Sequence, residues 1–156
     1  MHAEQNNKYV TVYAPAAIVD NASLTTNVID TKGYDYCTII VQLGATDIGI
    51  TALKVQEDDT TSSGTALTSG ADVTGLVWGT SANHVGTTST LPSGTNDDTI
   101  FVFEVDCRAR KRYLDVTFTM GDGSTGGFAT IIAVLSRGNN QLTTAAGRGA
   151  TEILRL

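Results

Sequence analysis

The sequence predicts an all-β fold, an antiparallel β-sandwich of the jelly-roll kind, on three observations. The first is residues 113–120, where Leu114, Val116, Phe118 and Met120 take one face and Tyr113, Asp115, Thr117 and Thr119 the other. Period-two alternation marks a strand with one buried face. The second is the company that segment keeps. Residues 100–105 and 128–135 are apolar runs on either side, so 99–137 reads as three consecutive strands joined by two turns. The third is the polar filler. Charged residues make up 17% of the chain, below the roughly 25% usual for globular domains. Thr, Ser and Gly stand in their place, Thr suiting the pleat and Gly and Ser the turns. No clear helical period occurs.

In chain order, residues 9–13 (Tyr-Val-Thr-Val-Tyr) alternate and read as an edge strand or an arm, limited by Pro15. Residues 18–20 and 27–30 are short strand candidates, and Lys32-Gly33 a turn. Residues 36–43 place Cys37, Ile39, Val41 and Leu43 on one face. Ile40 interrupts the other face, so this strand is expected to be covered on both sides. After a turn at 44–47, Leu53 and Val55 point inward and Lys54 and Gln56 outward, and 34–57 reads as a hairpin. Residues 58–98 are dense in Thr, Ser, Gly, Asn and Asp. A structureless loop of that length does not suit a compact domain, so short strands are expected at 72–79 and 84–90, with Trp78 packed beneath as a plug. The tail returns to apolar residues at Ile153, Leu154 and Leu156 and should dock on its own domain or a neighbour. The domain plan is therefore 1–14 as arm or edge strand, 15–137 as the sandwich with long loops at 58–98, and 138–156 as the tail.

A chain of 156 residues suits one domain. Ten basic against sixteen acidic residues give a net charge of −6, the wrong sign for a free-standing nucleic-acid binder or an anionic-membrane binder. No apolar run approaches the roughly 18–20 residues of a membrane-spanning helix, and the first seven residues lack the features of a signal peptide. Cys37 and Cys107 lie far apart, at or beside apolar strands, and read as buried free thiols; a disulfide between neighbouring strands is the other reading.

Several motifs invite chemistry. Residues 121–126 (Gly-Asp-Gly-Ser-Thr-Gly) match G-x-G-x-x-G, but the dinucleotide fingerprint needs a helix to follow, and here a strand does. Arg108, Arg110, Lys111 and Arg112 form the one dense basic patch. It reads as a charged turn whose arginines pair with Asp106, Asp115 and other carboxylates, or else as a contact for phosphate or an acidic protein surface. Glu57-Asp58-Asp59 and Asp97-Asp98 would suit Ca²⁺ only if brought together. His2 and His84 are the only histidines; neither a C-x-x-C pair nor a G-x-S-x-G elbow accompanies them. No enzyme, cofactor or metal is expected.

Five segments together carry a resemblance: residues 32–36 (Lys-Gly-Tyr-Asp-Tyr), 43–48 (Leu-Gly-Ala-Thr-Asp-Ile), 52–57 (Ala-Leu-Lys-Val-Gln-Glu), 110–115 (Arg-Lys-Arg-Tyr-Leu-Asp) and 135–137 (Leu-Ser-Arg). Over roughly residues 30–137 the chain resembles small virion structural proteins of tailed bacteriophages. The resemblance implies a non-enzymatic, assembling β-domain. A capsid decoration (cement) protein is the first choice within that class, and a tail or head–tail connector component the competitor. It further implies a homo-oligomer, with a trimer favoured, bound to the major capsid protein on the virion surface after synthesis in the host cytoplasm. A carbohydrate- or host-binding module is the other class weighed. The contact residues expected are Tyr9, Tyr13, Arg108, Arg110, Ile153, Leu154 and Leu156.

Overall fold

The computed structural model describes residues 6–86, 88–140 and 142–154. Its strands are β1 (Lys8–Tyr13), β2 (Ile29–Asp30), β3 (Tyr34–Thr46), β4 (Ile50–Asp58), β5 (Thr61–Ser63), β6 (Ala66–Leu67), β7 (Ala71–Val77), β8 (Ile100–Asp106), β9 (Tyr113–Met120) and β10 (Gly127–Gly138). They form two four-stranded sheets and one small hairpin. The first sheet has the order β1-β10-β3-β8, the second β2-β9-β4-β7, and β5-β6 stands apart. Every named pairing is antiparallel. The expected antiparallel sandwich is present.

The core is the space between the sheets. β9 alternates as its sequence requires, with Leu114, Val116, Phe118 and Met120 buried. Across from them lie Cys37, Ile39, Val41 and Leu43 of β3 and Ile131, Ala133 and Leu135 of β10. Each large aliphatic or aromatic side chain so buried contributes about 1.5–3 kcal/mol. Val12 of β1 is fully buried, so residues 9–13 are an edge strand of the first sheet.

Residues 34–57 are not a hairpin. β3 belongs to the first sheet and β4 to the second, and the chain crosses the sandwich between them. Both strands are apolar on one side, and that pattern fits a hairpin or a crossing equally well. The corner decides it. Thr46 Oγ1 donates to the Ile48 carbonyl at 2.8 Å, and the Ile50 amide donates to the Pro92 carbonyl at 2.8 Å. These bonds turn β4 away from β3. The same holds for residues 99–137: the three expected strands exist, but β8, β9 and β10 alternate between sheets and none pairs with the next.

The 58–98 region holds β7 where a strand was expected. The described residues of 84–90 form none, and β5-β6 is an addition. Residues 18–20 give a single bridge, Val19 with Gly127. Trp78 packs edge-on to Phe101, ring centroids 5.4 Å apart, and to Phe103 at 6.3 Å. Cys37 and Cys107 are buried and unbridged. Burial pushes the Cys37 thiol up to about 12 and the Cys107 thiol up to about 11.

Candidate functional site

The outer face of the first sheet departs from the usual rule. A sandwich strand should turn polar residues to solvent. Here Thr11, Ile132, Ile40 and Val102 stand in register across all four strands. Neighbours in such a row lie about 4.5–5.5 Å apart, close enough to form one apolar strip. Ile132 and Val102 are 43% and 41% exposed, and Ile100 and Phe128 extend the strip at 59% and 42%. Ile40 is half-buried by its neighbours on that row, so β3 is covered on one side by the core and only partly on the other. Tyr36 sits at one end of the same face, with the guanidinium of Arg108 5.0 Å from its ring centroid and that of Arg137 at 5.2 Å.

A second feature lies along one side of the sandwich, where edge strands β7 and β8 face a cleft of about 730 Å³. Leu76, Trp78, Leu91 and Phe101 give it an apolar floor, and Asn83, Ser89, Asn96 and Glu104 are among its polar groups. The indole Nε1 of Trp78 is buried and donates to nothing. A buried donor without an acceptor costs about 1–3 kcal/mol. The edge of β8 is open on this side. The Leu43 amide donates to the Thr99 carbonyl at 2.9 Å, which makes that pair a hydrogen-bonded one. Antiparallel alternation then aims the backbones of Phe101, Phe103 and Val105 at β3, and those of Ile100, Val102 and Glu104 at the cleft. Among the described residues these three meet no backbone partner on the cleft side.

The basic turn is held by local pairs. Arg108 makes a two-pronged contact with Asp106, at 2.9 and 2.5 Å. Arg112 does the same with Asp30, at 2.9 and 2.7 Å, and Arg110 lies 3.5 Å from Glu57. Asp115, an expected arginine partner, instead accepts the Thr26 hydroxyl at 2.6 Å. Its half-buried position on β9 raises its pKa, while the Thr26 bond works against the rise. The Arg108 guanidinium beside Asp106 holds that carboxyl down to about 2.

The G-x-G-x-x-G loop is an anion cradle whose anion belongs to the chain. Asp47 accepts amides from Ser124, Thr125 and Gly126 at 2.9, 2.7 and 2.9 Å. Burial opposes its charge, but these three bonds outweigh that and keep the carboxyl below the usual range. Gly126, at φ +88°, has no room for a Cβ against the Val19 carbonyl. The acidic loops are likewise engaged. Asp58 accepts the Ser69 amide at 2.6 Å, and Asp97 the Thr46 amide at 2.8 Å. Among the described residues no three acidic, His or Cys groups cluster as a metal would need.

The tail docks through a residue that sequence reasoning passed over. Arg148 is 3% exposed. Its Nε donates to the Asn7 carbonyl at 3.0 Å, and a second guanidinium nitrogen reaches the Tyr9 hydroxyl at 3.3 Å. The Tyr9 amide donates to the Arg148 carbonyl at 2.7 Å, and Gly149, at φ +76°, packs against the Tyr9 carbonyl. The edge of β1 is therefore covered. The only advance sign of this is an arginine set between two glycines, 147 and 149. Of the expected contact residues, Tyr9 holds the tail and Tyr13 ends β1, its carbonyl accepting the Thr130 hydroxyl at 3.0 Å. Arg108 and Arg110 lie in the basic turn. Ile153 is partly covered, Leu154 is fully exposed, and Leu156 lies outside the described residues. Among those residues no helix is long and apolar enough to cross a membrane. Comparison of the chain with protein-family models, with curated proteins and with solved structures finds no match.

Proposed function

We propose that this protein is a non-enzymatic assembly module, a virion structural protein of a tailed bacteriophage that decorates the outer capsid surface and cements the head. The observation that carries the reading is the solvent-facing strip Ile132–Ile40–Val102 on the first sheet. An apolar patch of this kind marks a surface meant for another protein. The sequence resemblance supplies the partner class, a major capsid protein. Linked weak contacts across several shell subunits would sum to tight binding. The jelly-roll winding is supported by the strand orders, since all but one of the links between the eight sandwich strands cross from sheet to sheet. Viral coat proteins use that winding, which is an analogy of architecture alone.

Co-expression with the major capsid protein of a tailed bacteriophage tests the reading. The chain should co-sediment with assembled shells and raise their melting temperature, and Ile40→Lys with Ile132→Lys should abolish both effects. Shells that never capture the unaltered chain would overturn it. Larger rings by mass photometry would instead favour a tail or connector component. A second reading, a carbohydrate- or host-recognising module, is favoured by the Trp78 cleft with its Asn and Ser rim. A glycan array without hits removes it.

A further inference from the structure

We infer that the cleft between β7 and β8 receives the C-terminal segment of a second copy of this chain, residues 151–156, as an added strand on the open edge of β8. The inference deepens the assembly reading by naming the contact that joins subunits. Three features of the cleft ask for an extended backbone. Ile100, Val102 and Glu104 present amides and carbonyls to it without partners among the described residues. The Trp78 indole N–H is buried beside it without an acceptor, and a strand carbonyl would supply one. Its floor of Leu76, Trp78, Leu91 and Phe101 is apolar, so every second side chain of the incoming strand must be apolar too.

The tail has that pattern. In Thr151-Glu152-Ile153-Leu154-Arg155-Leu156, Leu154 and Leu156 share one side and Ile153 and Arg155 the other. With the leucines on the cleft floor, Ile153 and Arg155 join the outer face, where Val102 is apolar and Glu104 is acidic. Leu154 is fully exposed in the single chain, so it has nothing to lose by moving. The donor is a neighbour by reach. The tail leaves Arg148 at the β1 edge, three strand spacings or roughly 14 Å from β8 across the sheet. The seven residues after Gly149 span at most roughly 25 Å fully extended, too little both to cross and to pair along β8. Donor and acceptor edges differ, so two copies can exchange tails reciprocally, or more copies can link head to tail and close where the rotation between them allows.

Light scattering and native mass spectrometry on the full chain, on a chain ending at Ala150, and on Leu154→Asp and Val102→Pro test this. The proline removes only an amide that faces the cleft, which an edge strand tolerates. The full chain should form a closed oligomer and the three variants monomers with unchanged melting. A synthetic peptide of residues 149–156, added to the chain ending at Ala150, should shift the emission of Trp78, the one tryptophan, to the blue. The same peptide carrying Leu154→Asp should bind at least about tenfold more weakly, a difference of about 1.4 kcal/mol. Unchanged oligomers after truncation, or peptide addition that leaves Trp78 emission unmoved, would overturn the inference. Shell capture through Ile40 and Ile132 would be untouched by that result, so the two readings fail separately.

Discussion

The two sheets bury similar inner faces and present opposite outer ones. On the second sheet, Lys54 and Gln56 of β4 both reach Asp72 of β7, at 2.8 and 2.7 Å. Thr117 donates to Gln56 at 3.3 Å, Thr51 to the Thr119 carbonyl at 3.3 Å, and Ser23 and Thr119 share a bond of 2.7 Å. Solvent meets a lattice of polar groups bonded to one another. On the first sheet it meets Ile132, Ile40 and Val102. Folding alone would be served by either surface. The difference teaches that the first sheet's exterior is shaped by something other than folding, since bare aliphatic rows invite association and gain the isolated domain nothing.

The comparison breaks most severely in the shared core. Phe118→Ala on the second sheet should cost about 3–5 kcal/mol and Leu135→Ala on the first about 2–5 kcal/mol, read by urea denaturation. Equal sensitivity of the inner faces would confirm that only the exteriors differ. Acid comes next. Asp30, Asp47, Asp58, Asp72 and Asp106 all titrate below their ordinary value, and three of them lie on strands of the second sheet. Their ionisation therefore favours the fold above about pH 4, and that gain is lost as pH falls toward 2. Asp115 has the opposite sign. Its pKa is raised, so its contribution is present at low pH and is lost as pH rises through the folded value. Urea midpoints should fall between about pH 4 and 2, and Asp115→Asn should flatten the opposing trend above that window. The smallest effect sharpens the contrast outside. Lys54→Ala should cost at most about 1 kcal/mol, less at high salt, and leave association intact. Ile132→Lys should change stability within about 0.5 kcal/mol while removing shell capture, read by co-sedimentation with assembled shells.

The strands were legible because period-two alternation is a local signal, and β9 carries it without an exception from Tyr113 to Met120. What the local signal lacks is the identity of the neighbour. Ile39, Val41 and Leu43 would look the same paired to Leu53 and Val55 in a hairpin or stacked over them across a core. The corner bonds of Thr46 and Ile50 decide between these, and the second joins residues far apart in the chain, Ile50 and Pro92. The β5-β6 hairpin escaped notice because its Thr, Ser and Ala bury little. The basic turn was readable in outline, since Asp106 lies two residues from Arg108, whereas Asp30 and Glu57 reach Arg112 and Arg110 only through the fold. Arg148 was invisible for the same reason: its partners, Asn7 and Tyr9, sit at the other end of the sequence.

The pairing of β1 with β10 has a consequence for synthesis. Of the described strands, the first in chain order is bonded in its sheet only to the last. During translation β1 must wait with Val12 uncovered until β10 has been made, and the non-local pairings that follow are slow to close. A chain that stops short of β10 therefore leaves β1 without its one partner in the sheet.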